Sequence, residues 1–93
     1  MPETNPKKIL LVDDEKEILS FLTKFLERYH YKVFSTTKGR EAIEIAKDIL
    51  PDLVILDILI SDISGEEVAK AFLQEPSTSD IPVIFLSGLL SKE

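Results

Sequence analysis

The chain contains no cysteine and only one histidine among its 93 residues. The lack of cysteine excludes disulfide bonds, thiolate zinc sites and cysteine nucleophiles, and it fits a reducing cytoplasm. Long apolar runs are also absent near the start, where a polar segment is followed by only four apolar residues, 9–12. Neither a signal peptide nor a membrane span is predicted there.

Positive charge is in the minority, with 11 Lys and Arg against 17 Asp and Glu and a net charge of −6. An acidic chain binds a phosphate backbone poorly, so this segment is not expected to contact nucleic acid directly. The lone His30 follows Tyr29 near a predicted helix end, which favours a partly exposed residue over a phosphodonor or metal ligand. The length and a hydrophobic content of 44% suit one globular domain.

Apolar periodicity divides the chain into alternating strands and helices. Short continuous apolar runs predict buried strands, whereas apolar residues at steps of three and four predict helices, as with Ile18, Leu22, Phe25 and Tyr29. The predicted strands are Lys8–Val12, Lys32–Ser35, Leu53–Leu56 and Val83–Leu86, and the predicted helices are Lys16–Tyr29, Gly39–Ile49 and a third ending near Gln74. This order predicts an α/β fold, a doubly wound parallel sheet with helices on both faces.

Three carboxylates follow two of the predicted strands. Asp13 and Asp14 come directly after the first strand, and Asp57 comes directly after the third. Sites in open parallel sheets lie outside the carboxyl ends of the strands, so these side chains are expected to meet. Three neighbouring carboxylates repel one another unless a cation or a proton intervenes, and the pattern therefore predicts a divalent metal site.

Each of these residues also has a simpler interpretation. Asp13 or Asp14 could cap the first helix, and Asp57 could bond backbone amides in its own loop. Ser87, which precedes Gly88 after the fourth strand, could belong to a turn. Their coincidence at the ends of three strands favours a shared site.

The chain resembles the receiver domain of two-component response regulators over nearly all of residues 8–93. The matching segments are KILLVDDE at 8–15, DLVILD at 52–57 with GEE at 65–67, and IPVIFLSG at 81–88. The resemblance implies a flavodoxin-like fold, (βα)3β with strand order 2-1-3-4. Residues 1–7 are then a flexible leader, and residues 8–93 form a partial receiver domain.

The resemblance also implies a function and its residues. Asp57 is the implied phosphoacceptor, receiving a phosphoryl group from a histidine kinase or phosphotransfer protein with Mg²⁺ present. The implied metal ligands are Asp14, Asp57, the backbone carbonyl of Leu59, and Asp13 mostly through water. The Ser87 hydroxyl is implied to bond the phosphoryl group. No enzymatic activity beyond Mg²⁺-dependent self-phosphorylation on Asp57 is expected, and the domain is expected in the cytoplasm, away from membranes.

The chain departs from the family pattern in several places. Ser61 stands where the family often has Pro, and Ser64 stands where it often has Asp, although Ser64 keeps a helix cap. The family's phosphate-contacting Lys, fifth strand and fifth helix have no counterpart here, and Lys92 is too close to Ser87 to replace that Lys. A C-terminally truncated receiver is expected, with an open edge at strand four that invites self-association.

Two functions other than that of a phosphoacceptor are compatible with parts of the sequence. A truncated or pseudo-receiver could act only as a binding or self-association module. A hydrolase similar to haloacid dehalogenases needs a second Asp two residues after its nucleophile. Leu59 and Glu15 occupy those positions after Asp57 and Asp13, which disfavours the hydrolase.

Overall fold

The computed structural model describes residues 5–86, which form a four-stranded parallel sheet flanked by three helices. In chain order the elements are β1 (Lys8–Val12), α1 (Lys16–Glu27), β2 (Lys32–Thr36), α2 (Gly39–Ile49), β3 (Leu53–Asp57), α3 (Gly65–Gln74) and β4 (Val83–Leu86). The strands lie in the order β2-β1-β3-β4, which confirms the predicted topology. Within this range no helix has the length and apolar content needed to cross a bilayer.

Parallel pairing brings the carboxyl ends of the strands to one edge of the sheet. Val12 at the end of β1 pairs with Thr36 of β2 and with Leu56 of β3. Asp57 pairs with Leu86 of β4, so it is the last residue of β3, one residue beyond the predicted end of that strand. Both acidic segments therefore leave the sheet at the same edge.

The residues of β1 alternate between two apolar layers. Leu10 and Val12 face α2 and α3, whereas Ile9 and Leu11 face α1. The larger layer also contains buried residues from both helices, from β3 and from the loop after it: Ala42, Ala46, Val54, Leu56, Ile60, Val68 and Phe72. Because β1 is covered on both faces, its sequence is a continuous apolar run with no polar alternation.

Only part of the apolar surface of α1 lies against the sheet. Leu19 is buried, and Leu22 and Leu26 pack against the same layer. Phe25 and Tyr29 belong to the predicted apolar stripe but are 43% and 61% exposed, with ring centroids 5.4 Å apart. The helical period therefore identified the helix correctly but did not separate its buried side chains from its exposed ones.

Two element ends also differ from the prediction. α1 ends at Glu27, because the N–H groups of Tyr29 and His30 donate to carbonyls three residues back, as in a tightened last turn. His30 has a φ of 72°, in the left-handed region that ends the helix. β2 runs one residue further than predicted, to Thr36, which pairs with Val12.

Candidate functional site: a carboxylate cluster

Asp13, Asp14 and Asp57 meet at the carboxyl edge of the sheet. One carboxylate oxygen from each residue lies within 4.8 Å of the other two. Asp13 and Asp57 are buried and Asp14 is half-buried, so the cluster lies in a recess at that edge. Negative charges this close in a partly desolvated place are held most favourably around a cation.

The chemistry of the cluster fits a small, hard divalent cation. All three donors are carboxylate oxygens, which Mg²⁺ prefers, with metal–oxygen distances of about 2.0–2.1 Å. The three donor oxygens lie within 4.8 Å of one another, so they are near enough to share one small cation. The described residues thus present a donor set of suitable type and spacing.

Two of the carboxylates also bond backbone amides nearby. Asp13 Oδ1 accepts a hydrogen bond of 2.9 Å from the Glu15 N–H at the start of α1. Asp57 Oδ1 accepts one of 3.3 Å from the Leu59 N–H. Asp57 thus bonds a backbone amide of its own loop, as in the simpler interpretation, whereas Asp13 forms a turn with Glu15 and does not cap α1, which has no side-chain cap hydrogen bond. Neither contact excludes the cluster. The two amide bonds hold the Asp13 and Asp57 carboxylates in orientations that place their oxygens within the cluster.

The loop between β3 and α3 carries Leu59, the residue expected to offer its carbonyl oxygen. Leu59 is 63% exposed, so its side chain does little to anchor the loop. The Gly65 N–H donates to the Ile58 carbonyl at 2.8 Å and closes the loop at its base. The predicted cap of α3 is present, since Ser64 Oγ accepts a hydrogen bond of 3.1 Å from the Glu67 N–H. Ser87, expected at the same edge, lies outside the described residues.

Asp62 is a residue of this loop that the sequence analysis did not identify. Its carboxylate accepts hydrogen bonds from the N–H groups of Gly39 (2.8 Å) and Arg40 (3.1 Å) at the start of α2. The Arg40 and Gly39 N–H groups hold the pKa of Asp62 below its ordinary value of 3.8. A signal was present in the sequence: Lys38, the N-cap residue of α2, cannot accept these bonds, so α2 needs a cap from elsewhere.

Thr36 was also missed, and it connects β1 to the start of α2. Its carbonyl accepts a hydrogen bond of 3.3 Å from the Asp13 N–H. Its buried hydroxyl donates to the Glu41 carboxylate and accepts from the Lys38 N–H at 3.1 Å. The backbone of the acidic pair is therefore tied to the same helix start that Asp62 holds.

Comparison with known proteins identifies relatives across this whole region. A family model described as the response regulator receiver domain matches residues 9–93. The chain is 37% identical over 93 residues to a Vibrio cholerae protein described as a probable cyclic di-GMP phosphodiesterase, covering 100% of this chain and 21% of that protein. It is 42% identical over 82 residues to the alkaline phosphatase synthesis transcriptional regulatory protein PhoP of Bacillus subtilis, covering 88% of this chain and 33% of that protein. The chain thus spans a third or less of these two relatives.

A shorter relative and two solved structures are also described as response regulators. The chain is 30% identical over 87 residues to the polar-differentiation response regulator DivK of Brucella anthropi, covering 94% of this chain and 71% of that protein. The N-terminal domain of a response regulator receiver protein from Methanoculleus marisnigri superposes with a TM-score of 0.81 at 36% identity, over 84% of this chain and 63% of that one. The chemotaxis response regulator CheY4 of Vibrio cholerae superposes with a TM-score of 0.83 at 27% identity, over 87% of this chain and 68% of that one. By sequence and by fold, the chain belongs to the family of response regulator receiver domains.

Proposed function

We propose that this receiver domain accepts a phosphoryl group on Asp57 from a histidine kinase or phosphotransfer protein. The observation that carries the proposal is the meeting of Asp57 with Asp13 and Asp14, whose oxygens lie within 4.8 Å of one another. A lone buried carboxylate repels a dianionic phosphoryl group, because both carry negative charge. A carboxylate beside two others can do so where a cation balances the charge.

The transfer forms one bond and breaks one bond. A carboxylate oxygen of Asp57 attacks the phosphorus of a phosphohistidine in line with the P–N bond, which breaks as the new P–O bond forms. The imidazole nitrogen keeps the bonding electron pair and takes up a proton. The product is an aspartyl phosphate on Asp57. The hydrogen bond from the Leu59 N–H restricts the rotation of the Asp57 carboxylate before attack.

The residues that would hold Mg²⁺ are Asp14, Asp57, the carbonyl of Leu59, and Asp13 mostly through water. When bound, Mg²⁺ neutralises the carboxylates and the incoming phosphoryl oxygens. Asp13 keeps its own orientation through the Glu15 N–H, so it can hold a water in a fixed direction. The all-oxygen donor set supports this choice of metal.

Ser87 is proposed to donate a hydrogen bond from its hydroxyl to a phosphoryl oxygen on Asp57. It follows Leu86 in the sequence, and Leu86 pairs with Asp57 across the sheet. Such a bond exists only after phosphorylation and therefore favours one arrangement of the chain around the site. The domain is proposed to work in the cytoplasm as the input of a regulator whose output is governed by this modification.

Intact mass spectrometry with a small-molecule phosphodonor tests the proposal. Acetyl phosphate with Mg²⁺ should add the mass of one phosphoryl group, and chelation of the metal should prevent the addition. Asp57→Asn should not be modified, while Asp48→Asn, the same change at an exposed acid on α2, should behave as the unsubstituted chain. Equal modification of Asp57→Asn and the unsubstituted chain would disprove the assignment.

A further inference from the structure

Residues 58–64, which carry Leu59, have few anchors of their own. Ile58 and Leu59 are exposed at the start of this segment, whereas Ile60 is buried in the core and the half-buried Ile63 packs against it. A proline at position 61 would fix the backbone φ, whereas Ser61 leaves it unrestricted. Hydrogen bonds add to this packing, and those that the Asp62 carboxylate accepts reach furthest along the chain, to Gly39 and Arg40.

We infer that Asp62 is a positioning residue for the metal and phosphoryl site. Its carboxylate holds residues 58–64 against the start of α2 and thereby fixes where the Leu59 carbonyl lies relative to Asp13 and Asp57. The inference rests on the proposed function, because it assigns Asp62 a role in the affinity of that same site for Mg²⁺. Asp62 itself is neither in the carboxylate cluster nor a proposed ligand.

Three observations support a stiff connection at this point. The two bonds come from consecutive N–H groups at a helix start, where otherwise unpaired donors and the helix dipole favour a carboxylate. The Arg40 and Gly39 N–H groups lower the pKa of Asp62 below 3.8, because both bonds favour its charged form. Gly39 packs closely beside the loop, since a Cβ there would lie 2.8 Å from side-chain atoms of Ile63 and Val68.

A continuous set of hydrogen bonds joins Asp62 to the other side of the site. Asp13 donates its N–H to the Thr36 carbonyl, and Lys38 donates its N–H to the Thr36 hydroxyl. The next two residues after Lys38 donate to Asp62. The ends of β1 and β3, which carry the cluster, are therefore connected through the start of α2 as well as through the sheet. Residues that orient ligands in this indirect way alter metal affinity when they are replaced.

The first test follows amide hydrogen exchange in the metal-free protein. Asp62→Ala should accelerate exchange at Leu59 and Gly65, whose N–H groups lie at the start and the end of the loop. Thr78→Val is the matched control, because it removes a buried hydroxyl that bonds the Phe72 carbonyl at the other end of α3. The control should leave both amides unchanged. Unchanged exchange at Leu59 in Asp62→Ala would overturn the inference.

The second test measures Mg²⁺ binding by calorimetry. Asp62→Ala should weaken binding about tenfold, at the lower end of the range for residues that orient ligands. Asp62→Asn, which keeps one oxygen acceptor, should lose less. Thr78→Val and the exposed charge control Asp48→Asn should bind as the unsubstituted chain does. Equal binding by Asp62→Ala and the unsubstituted chain, or an equal loss in Thr78→Val, would overturn the inference.

Failure of the proposed function gives a different result. If the unsubstituted chain showed no saturable Mg²⁺ binding, the proposed function would be contradicted and the role of Asp62 in metal affinity would fall with it. The exchange measurement in the metal-free protein would still decide whether Asp62 orders the loop.

Discussion

Gly65 lies against the backbone carbonyl of Asp57, so close that a Cβ on Gly65 would fall well inside 3.0 Å of that oxygen. The same Cβ would lie 2.9 Å from the Ile58 Cα. Both neighbours are backbone atoms at the end of β3 and cannot rotate away. The start of α3 can therefore approach the proposed phosphoacceptor only because residue 65 has no side chain.

Gly65→Ala should destabilise the protein by about 1–3 kcal/mol, the usual cost of overpacking a well-packed place. Gly39→Ala is a matched control, because Gly39 is also the first residue of a helix. A Cβ at Gly39 would meet side-chain atoms of Ile63 and Val68 and no backbone atom, so its cost should be smaller. Urea unfolding of both variants checks the order, and an equal or larger loss in Gly39→Ala would contradict it.

Asp57→Asn should stabilise the metal-free protein by about 1–4 kcal/mol, the range of repulsion between two unit charges about 4 Å apart at a protein surface. The substitution removes one of three clustered charges but keeps an oxygen that can accept the Leu59 N–H. Urea unfolding in a chelator gives the comparison. Asp48→Asn, an exposed acid outside the cluster, should change stability by less than about 0.5 kcal/mol. A loss of stability in Asp57→Asn would show that the cluster is not repulsive.

The stabilising effect of Asp62 should depend on pH. Because the Arg40 and Gly39 N–H groups lower the pKa of Asp62 in the folded protein, its charged form is favoured by folding. That contribution is complete above the unfolded-state pKa near 3.8 and is lost as the pH falls through the lower folded pKa. The difference in urea midpoint between Asp62→Ala and the unsubstituted chain should be largest at neutral pH and shrink in acid. A difference that grew in acid would contradict this sign.

The two faces of α1 should respond very differently to truncation. Leu19 is 7% exposed and packs between α1 and the sheet, so Leu19→Ala should cost about 2–5 kcal/mol. Phe21 is 67% exposed and contacts the Phe25 ring, with centroids 6.3 Å apart. Phe21→Ala should cost less than about 1 kcal/mol. Thermal or urea unfolding compares them, and a loss in Phe21→Ala as large as that in Leu19→Ala would contradict this packing of α1.

The features that were predictable from the sequence depend on local patterns. The apolar runs that precede Asp13 and Asp57 are too short and too continuously apolar for amphipathic helices. These two runs were therefore predicted to be buried strands. The rule that parallel strands end at one edge then brought the acidic residues together. No contact between distant side chains had to be foreseen for that step, so the cluster followed from the strand ends alone.

The features that were not predictable depend on contacts between distant segments. Asp62 and Gly39 are 23 residues apart, and their hydrogen bond exists only because the β3–α3 loop lies over the start of α2. The requirement for glycine at position 65 comes from the approach of α3 to β3. Phe25 and Leu22 share one helical period, and only the position of α1 on the sheet decides which of them is covered.

We propose that Asp13, Asp14 and Asp57 form one cation site, and a Mg²⁺ titration followed by backbone amide resonances tests this most directly. We expect saturable shifts centred on Asp13, Asp14, Asp57 and Leu59, and we expect them to be lost in Asp57→Asn and kept in Asp48→Asn. Shifts that never saturate and spread over the acidic surface, or an undiminished response in Asp57→Asn, would contradict it.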